Sequence, residues 1–220
     1  SRIAAEQNAA SPIKRGLGFA TFMHGAGFTG SGEDHLASIV DVEVIPDGRV
    51  RILAASTEIG QGTNTIFTQI AADALGLGLD DIEIAQPDTA QVPNSGPTVA
   101  SRTCMVVGNL VQSACGQLKK VLVARELLHE PYTPAEFRQA CRQHLELHGP
   151  LRESARYEAP AGMRWDDQKY EGDAYGTYAG AAYVAQVDVD VRTGQSRVSD
   201  FVAVQEIGRV IHPVLATGQI

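Results

Sequence analysis

The strongest constraint on this chain is a change of apolar period across one glycine turn. Val50-Arg51-Ile52-Leu53-Ala54 alternates as a strand does, Glu58-Ile59-Gly60-Gln61-Gly62-Thr63-Asn64-Thr65 interrupts it, and Ile66, Phe67, Ile70, Ala71 and Ala74 then recur at helical spacing up to Gly76. A period of two giving way to one near 3.6 reads as strand, turn and helix, so neither an all-β nor an all-α chain fits. The strand has a neighbour: residues 37–44 alternate and Pro46-Asp47-Gly48 makes the turn of a β-hairpin. A second, longer hairpin is expected from Tyr178–Val191, the turn Arg192-Thr193-Gly194-Gln195, and Val198–Val204. Ile82-Glu83-Ile84 reads as a short strand, and residues 16–32 as a strand running into a flexible glycine loop.

Two more helices follow. Ser101 opens one whose apolar face is Met105, Val106, Leu110, Val111, Ala114, Leu118, Val121 and Leu122. Thr133-Pro134-Ala135-Glu136 is a capping box with proline at the first helical position, and its helix runs to about Leu147, with Gly149 beyond. The expected class is α+β, with mixed sheets, two β-hairpins and three main helices. Residues 1–15, polar and patternless, are expected to be a linker or strap, and residues 16–220 a single domain.

The charge balance narrows the function. A net charge of −8 has the wrong sign for binding nucleic acid or anionic lipid through the overall field. No run approaches the ~20 apolar residues that a membrane span needs, and the first residues carry no apolar signal region, so a cytoplasmic location is expected. Cys104, Cys115 and Cys141 include no CxxC pair, which argues against a disulfide framework, structural zinc or a bound iron–sulfur cluster.

Two segments could carry chemistry. In Glu58–Thr65 the two glycines let backbone N–H groups face outward at a helix start, where the helix dipole favours a phosphate or another anion. The turn lacks the lysine of a P-loop and the third glycine of a dinucleotide fingerprint, and a tight turn that simply needs glycine accounts for it equally well. The second segment, Ser95-Gly96-Pro97-Thr98-Val99-Ala100-Ser101-Arg102-Thr103, offers three hydroxyls and a fixed cation at another helix start. Ordinary capping by Ser101, with Arg102 in solvent, is its simpler reading. Two such helix starts facing one ligand would make a site for a nucleotide-like molecule. His144 and His148 lie four apart on the third helix, but HLELH is not HExxH, and no G-x-S-x-G elbow occurs.

Taken together, Thr57-Glu58-Ile59-Gly60-Gln61-Gly62-Thr63, Val92-Pro93-Asn94-Ser95-Gly96-Pro97-Thr98-Val99-Ala100-Ser101 and Val210-Ile211-His212-Pro213 leading to Gly218-Gln219 resemble the molybdopterin-binding large subunit of the xanthine dehydrogenase and aldehyde oxidase group. The resemblance runs from about Gly16 to Ile220. It implies that Gly60, Gln61, Gly62, Thr63 and Asn64 contact the cofactor from the first helix start, Thr98, Ala100, Ser101 and Arg102 from the second, and Gln219 from the C-terminal motif. Phe28, Thr29 and Val99 fall where the family places its substrate pocket. The implied cofactor is molybdenum-molybdopterin, with or without a cytosine nucleotide, and none of these residues ligates the metal directly. The implied chemistry is hydroxylation of an aldehyde or N-heterocycle with water as oxygen source. Iron–sulfur clusters and FAD would sit on partner subunits or domains of an oligomeric enzyme, beside the remaining parts of the same large subunit.

The departures matter as much. The family's catalytic glutamate lies in a Gly-Glu-Pro motif beyond the Gly-Gln element, whereas Gly32-Glu33 is followed by Asp34. The base is therefore expected outside these residues, as is the half of the family's cofactor domain that precedes the glycine loop, and the isolated chain is expected to be inactive. A non-catalytic module that binds a nucleotide or anion at the two helix starts is the alternative.

Overall fold

In chain order the computed structural model contains β1 (Ile13–Gly25), α1 (Gly32–Leu36), β2 (Ile39–Val44), β3 (Val50–Leu53), α2 (Thr63–Leu75), β4 (Ile82–Ile84), α3 (Gly108–Ala124), α4 (Pro134–His148), β5 (Arg152–Arg156), β6 (Trp165–Asp166), β7 (Glu171–Gly172), β8 (Tyr178–Asp190), β9 (Ser196–Glu206) and α5 (Pro213–Gln219). The structure describes residues 8–220. The class is α+β, with both expected hairpins and the three expected main helices, α2, α3 and α4. The single span expected for residues 16–220 divides into two units.

The larger unit, Gly25–Gly176 with Ile211–Leu215, holds the four-stranded sheet β4-β3-β2-β5. Alternation in β2 decides its inner face: Val40, Val42 and Val44 are buried, as are Val50 and Ile52 of β3. Helix α2 lays Phe67, Ala71 and Leu75 into this core at intervals of four, and α3 adds Leu110, Val111, Ala114, Leu118 and Leu122. Each large apolar side chain buried in this way stabilises the unit by about 1.5–3 kcal/mol relative to its exposed state. Gly76, left-handed at φ 65°, ends α2. The capping box of α4 forms as expected, with the Thr133 N–H donating to Glu136 Oε2 at 2.7 Å.

Strand β5 was not expected, because Arg152-Glu153-Ser154-Ala155-Arg156 has no apolar alternation. It pairs antiparallel with β2, and Arg152 meets Asp41 at 2.6 Å, so polar cross-strand partners hold it.

The smaller unit has the sheet order β1-β8-β9. Residues 1–7 of the expected strap lie outside the described residues. Residues 13–15 belong to β1, and Arg15 Nε lies 2.6 Å from Asp188 Oδ1, so this part is a strand and not a linker. Phe22, Tyr183 and Phe201 form a ladder of rings, with centroids 5.1 and 5.4 Å apart. Leu17, Phe19, Met23, Val202 and Val204 are exposed. Among the described residues no helix is long and apolar enough to cross a membrane.

Candidate functional site

The first helix start turns through Gly60 at φ 102° and Gly62 at φ 92°, conformations that favour glycine. The N–H groups that this turn frees already have an acceptor within the chain. Glu58 Oε1 accepts from Gly60 N at 2.7 Å and Gly62 N at 3.1 Å, and Oε2 accepts from Asn64 N at 3.0 Å. These bonds, led by those from Asn64 and Gly62, hold the Glu58 carboxyl below its ordinary value of 4.5. The exposed Gln61 folds back onto its own turn: its amide donates to Thr57 O at 2.7 Å and to the buried Thr63 Oγ1 at 2.8 Å, and accepts from Ile59 N at 2.7 Å. Thr57, Glu58 and Asn64 line a cleft of about 150 Å³ together with Ser56 and Gln86.

The second helix start is built differently. Ala100 and Ser101 are left-handed at φ 54° and 55°, a costly conformation for residues with a Cβ. A π-helical turn, Thr103–Val107, then leads into α3, so the expected cap by Ser101 is not made. Thr98 Oγ1 accepts from Thr57 N at 2.9 Å, which joins the two helix starts directly.

Arg102 corrects the sequence expectation of a cation available to a ligand. Its side chain is fully buried. Nε donates to Glu33 Oε1 at 2.9 Å and Oε2 at 3.1 Å, and Nη2 to Glu33 Oε2 at 2.8 Å and Ser38 Oγ at 2.6 Å. Nη1 donates to Ser95 O at 2.9 Å and Pro97 O at 3.0 Å. All five guanidinium donors are thereby used inside the protein.

The glycine loop closes on the same place. Gly27 N donates to Ala100 O at 2.9 Å, Phe28 N donates to Glu33 Oε1 at 3.1 Å, and Thr29 Oγ1 lies 2.7 Å from Tyr175 Oη. Phe28, Thr29, Val99 and Ala100 therefore lie on two directly bonded segments, with Phe28 37% and Val99 49% exposed. Gln219, exposed at the end of α5, belongs to the smaller unit, whereas every other expected site residue belongs to the larger.

A family model described as the molybdopterin cofactor-binding domain matches residues 1–220. This chain belongs to that family. It is 29% identical over 213 residues to xanthine dehydrogenase 2 of Arabidopsis thaliana, covering 95% of this chain and 14% of that protein. It is 27% identical over 223 residues to the aldehyde oxidoreductase of Megalodesulfovibrio gigas, covering 98% of this chain and 23% of that protein. The crystal structure of the aldehyde oxidoreductase from Desulfovibrio desulfuricans ATCC 27774 superposes with a TM-score of 0.76 at 29% identity, over 99% of this chain and 23% of that one. The chain thus spans less than a quarter of the length of each of these relatives.

The residues present suit a molybdopterin cofactor-binding domain. A pterin edge asks for neutral donors and acceptors, and the junction offers the exposed side chains of Asn64 and Ser101 and the Thr98 hydroxyl, whose hydrogen is left over after its oxygen has accepted from Thr57. The sequence reading missed Glu58, Glu33, Ser38 and Ser95. Ser95 Oγ accepts from Ala55 N and donates to Ile39 O, both at 2.9 Å, fixing this loop to the sheet. Of these, Glu58 had a local signal, since a carboxylate just ahead of a helix is favoured there. The rings of His144 and His148 lie with centroids 5.2 Å apart and tilted by 53°, and among the described residues no group of three or more His, Cys, Asp or Glu could hold a metal. Burial pushes the Cys115 and Cys141 thiols up to about 12, so the thiolate form is disfavoured at neutral pH.

Proposed function

We propose that this chain forms part of the cofactor cage of a molybdenum hydroxylase that oxidises an aldehyde or N-heterocycle with water as oxygen source. The observation that carries this reading is the junction of three loops, tied by Thr57 N to Thr98 Oγ1 at 2.9 Å and Gly27 N to Ala100 O at 2.9 Å. The names of the relatives, xanthine dehydrogenase and aldehyde oxidoreductase, agree with it. When bound, the molybdenum centre supplies the two-electron oxidation of the substrate.

In this reading Thr98, Ser101 and Asn64 hydrogen-bond the pterin edge, and Ala100 and the left-handed Gly60 allow its close approach. Gln61, Gly62 and Thr63 keep the first turn in shape, and Phe28, Thr29 and Val99 line the substrate side. Arg102 stays out of reach of the cofactor. The catalytic base, the iron–sulfur clusters and the flavin belong to other parts of an oligomeric, cytoplasmic enzyme, and the cofactor is either the plain or the cytosine dinucleotide form.

Metal analysis and acid release of pterin from the full-length native protein test the reading. Molybdenum and a pterin in matching amounts are expected. Recovery of a nucleotide or inorganic anion with neither of them would replace the reading with the simple binding module.

A further inference from the structure

We propose that the buried Glu33–Arg102 pair is a positioning device that sets the Phe28–Thr29 and Val99–Ala100 segments as one wall of the substrate pocket. The inference rests on the functional reading above and deepens it. A buried ion pair is an inefficient source of stability, because removing both charges from water offsets most of their attraction. What this pair does supply is geometry. Glu33 Oε1 fixes the glycine loop through Phe28 N at 3.1 Å, while Arg102 Nη1 fixes the following loop through Ser95 O at 2.9 Å and Pro97 O at 3.0 Å. The salt bridge, Nη2 to Oε2 at 2.8 Å, joins the two, with side chains 0% and 5% exposed.

The surroundings are shaped to the pair. A Cβ on Gly96 would lie 2.9 Å from both Arg102 Nη1 and Ser38 Oγ, so glycine alone lets the backbone pass. Immediately before Arg102, Ala100 and Ser101 hold left-handed conformations at φ 54° and 55°. Such strain persists only where neighbouring bonds over-determine it. Here those bonds are the anchored guanidinium on one side and Gly27 N to Ala100 O at 2.9 Å on the other. Glu33 and Arg102 touch neither substrate nor cofactor in this arrangement and act through the segments they hold.

The test uses the full-length holoenzyme with Arg102→Lys, Glu33→Gln and the double variant Glu33→Leu/Arg102→Met. Molybdenum content, thermal midpoint, steady-state kinetics with an aromatic aldehyde or a purine, and amide exchange over residues 26–32 and 96–101 are measured for each. The single variants should raise KM by about 10- to 100-fold, the scale of a small misplacement, while kcat per molybdenum changes far less. Exchange should rise in both segments together. In the double variant no buried charge is left alone, so the midpoint should recover while KM and exchange stay high. Recovery of KM along with the midpoint, or loosening of one segment only, would overturn the proposal. A protein purified without molybdenum or pterin would instead overturn the functional reading, and joint or separate loosening of the two segments would still decide whether the pair couples them.

Discussion

The two helix starts of the larger unit have similar sequences and opposite constructions. Both combine glycine, hydroxyls and a charged residue ahead of a helix, and sequence reasoning assigns both to a ligand. At the first, Glu58 is solvent-exposed and local, bonding N–H groups two, four and six residues onward. At the second, Arg102 is buried and long-range, reaching Glu33, 69 residues away in sequence. The first turn is thus a self-contained cap, and the second is a joint between distant loops. A charged residue at a helix start can close the site to a ligand as readily as open it, and the location of its partner decides which.

The comparison can be broken most severely at Arg102. Arg102→Met leaves the buried Glu33 without its countercharge and should cost about 3–5 kcal/mol in denaturant unfolding, the usual penalty for half a buried pair. A value under 1 kcal/mol would place the pair in the same class as a surface bridge. Next come the glycines. Gly96→Ala should be more costly than Gly60→Ala: both positions are left-handed, at φ 75° and 102°, which costs about 1–2 kcal/mol with a Cβ, but only Gly96 also meets Arg102 and Ser38, whereas Gly60 has nothing within 4 Å. Equal losses would show that the space around Arg102 can yield.

Glu58→Gln should be milder, about 1 kcal/mol as for a helix cap. It also carries a pH signature. The folded carboxyl titrates below its ordinary 4.5, so its stabilisation is complete above that value and is lost as pH falls through the lower folded value. The variant should therefore lose stability less steeply than the wild type below pH 4.5, and parallel curves would remove Glu58 from its assigned role. Gln61→Ala should cost no more than Glu58→Gln, about 0.5–1 kcal/mol in denaturant unfolding, because its bonds are neutral and solvent competes for them.

What could be read from the sequence followed the same division between local and distant partners. The hairpin turns, Gly76 after α2 and the Thr133–Glu136 box are complete within a few residues, and the structure has all of them. Strand β5 could not be read, because Arg152 is a strand residue only in the presence of Asp41 on β2. The burial of Arg102 depends on Glu33, whose sequence context suggested only a poor match to a catalytic motif. Glu58 is legible in the sequence, because a carboxylate just ahead of a helix is a ready acceptor for the N–H groups of its own turn. The left-handed Ala100 and Ser101 carry no sequence signal, because neither residue type favours that conformation by itself.

The most direct test of the proposed cofactor grip is the amount of pterin released per chain from full-length Thr98→Val/Ser101→Val protein. In the proposed reading both hydroxyls face the pterin; Thr98→Val also removes the bond from Thr57 N, while the Arg102–Glu33 joint keeps all of its own bonds. The account predicts a folded protein that has lost most of its pterin. Full pterin content in that variant would contradict it and place the cofactor elsewhere.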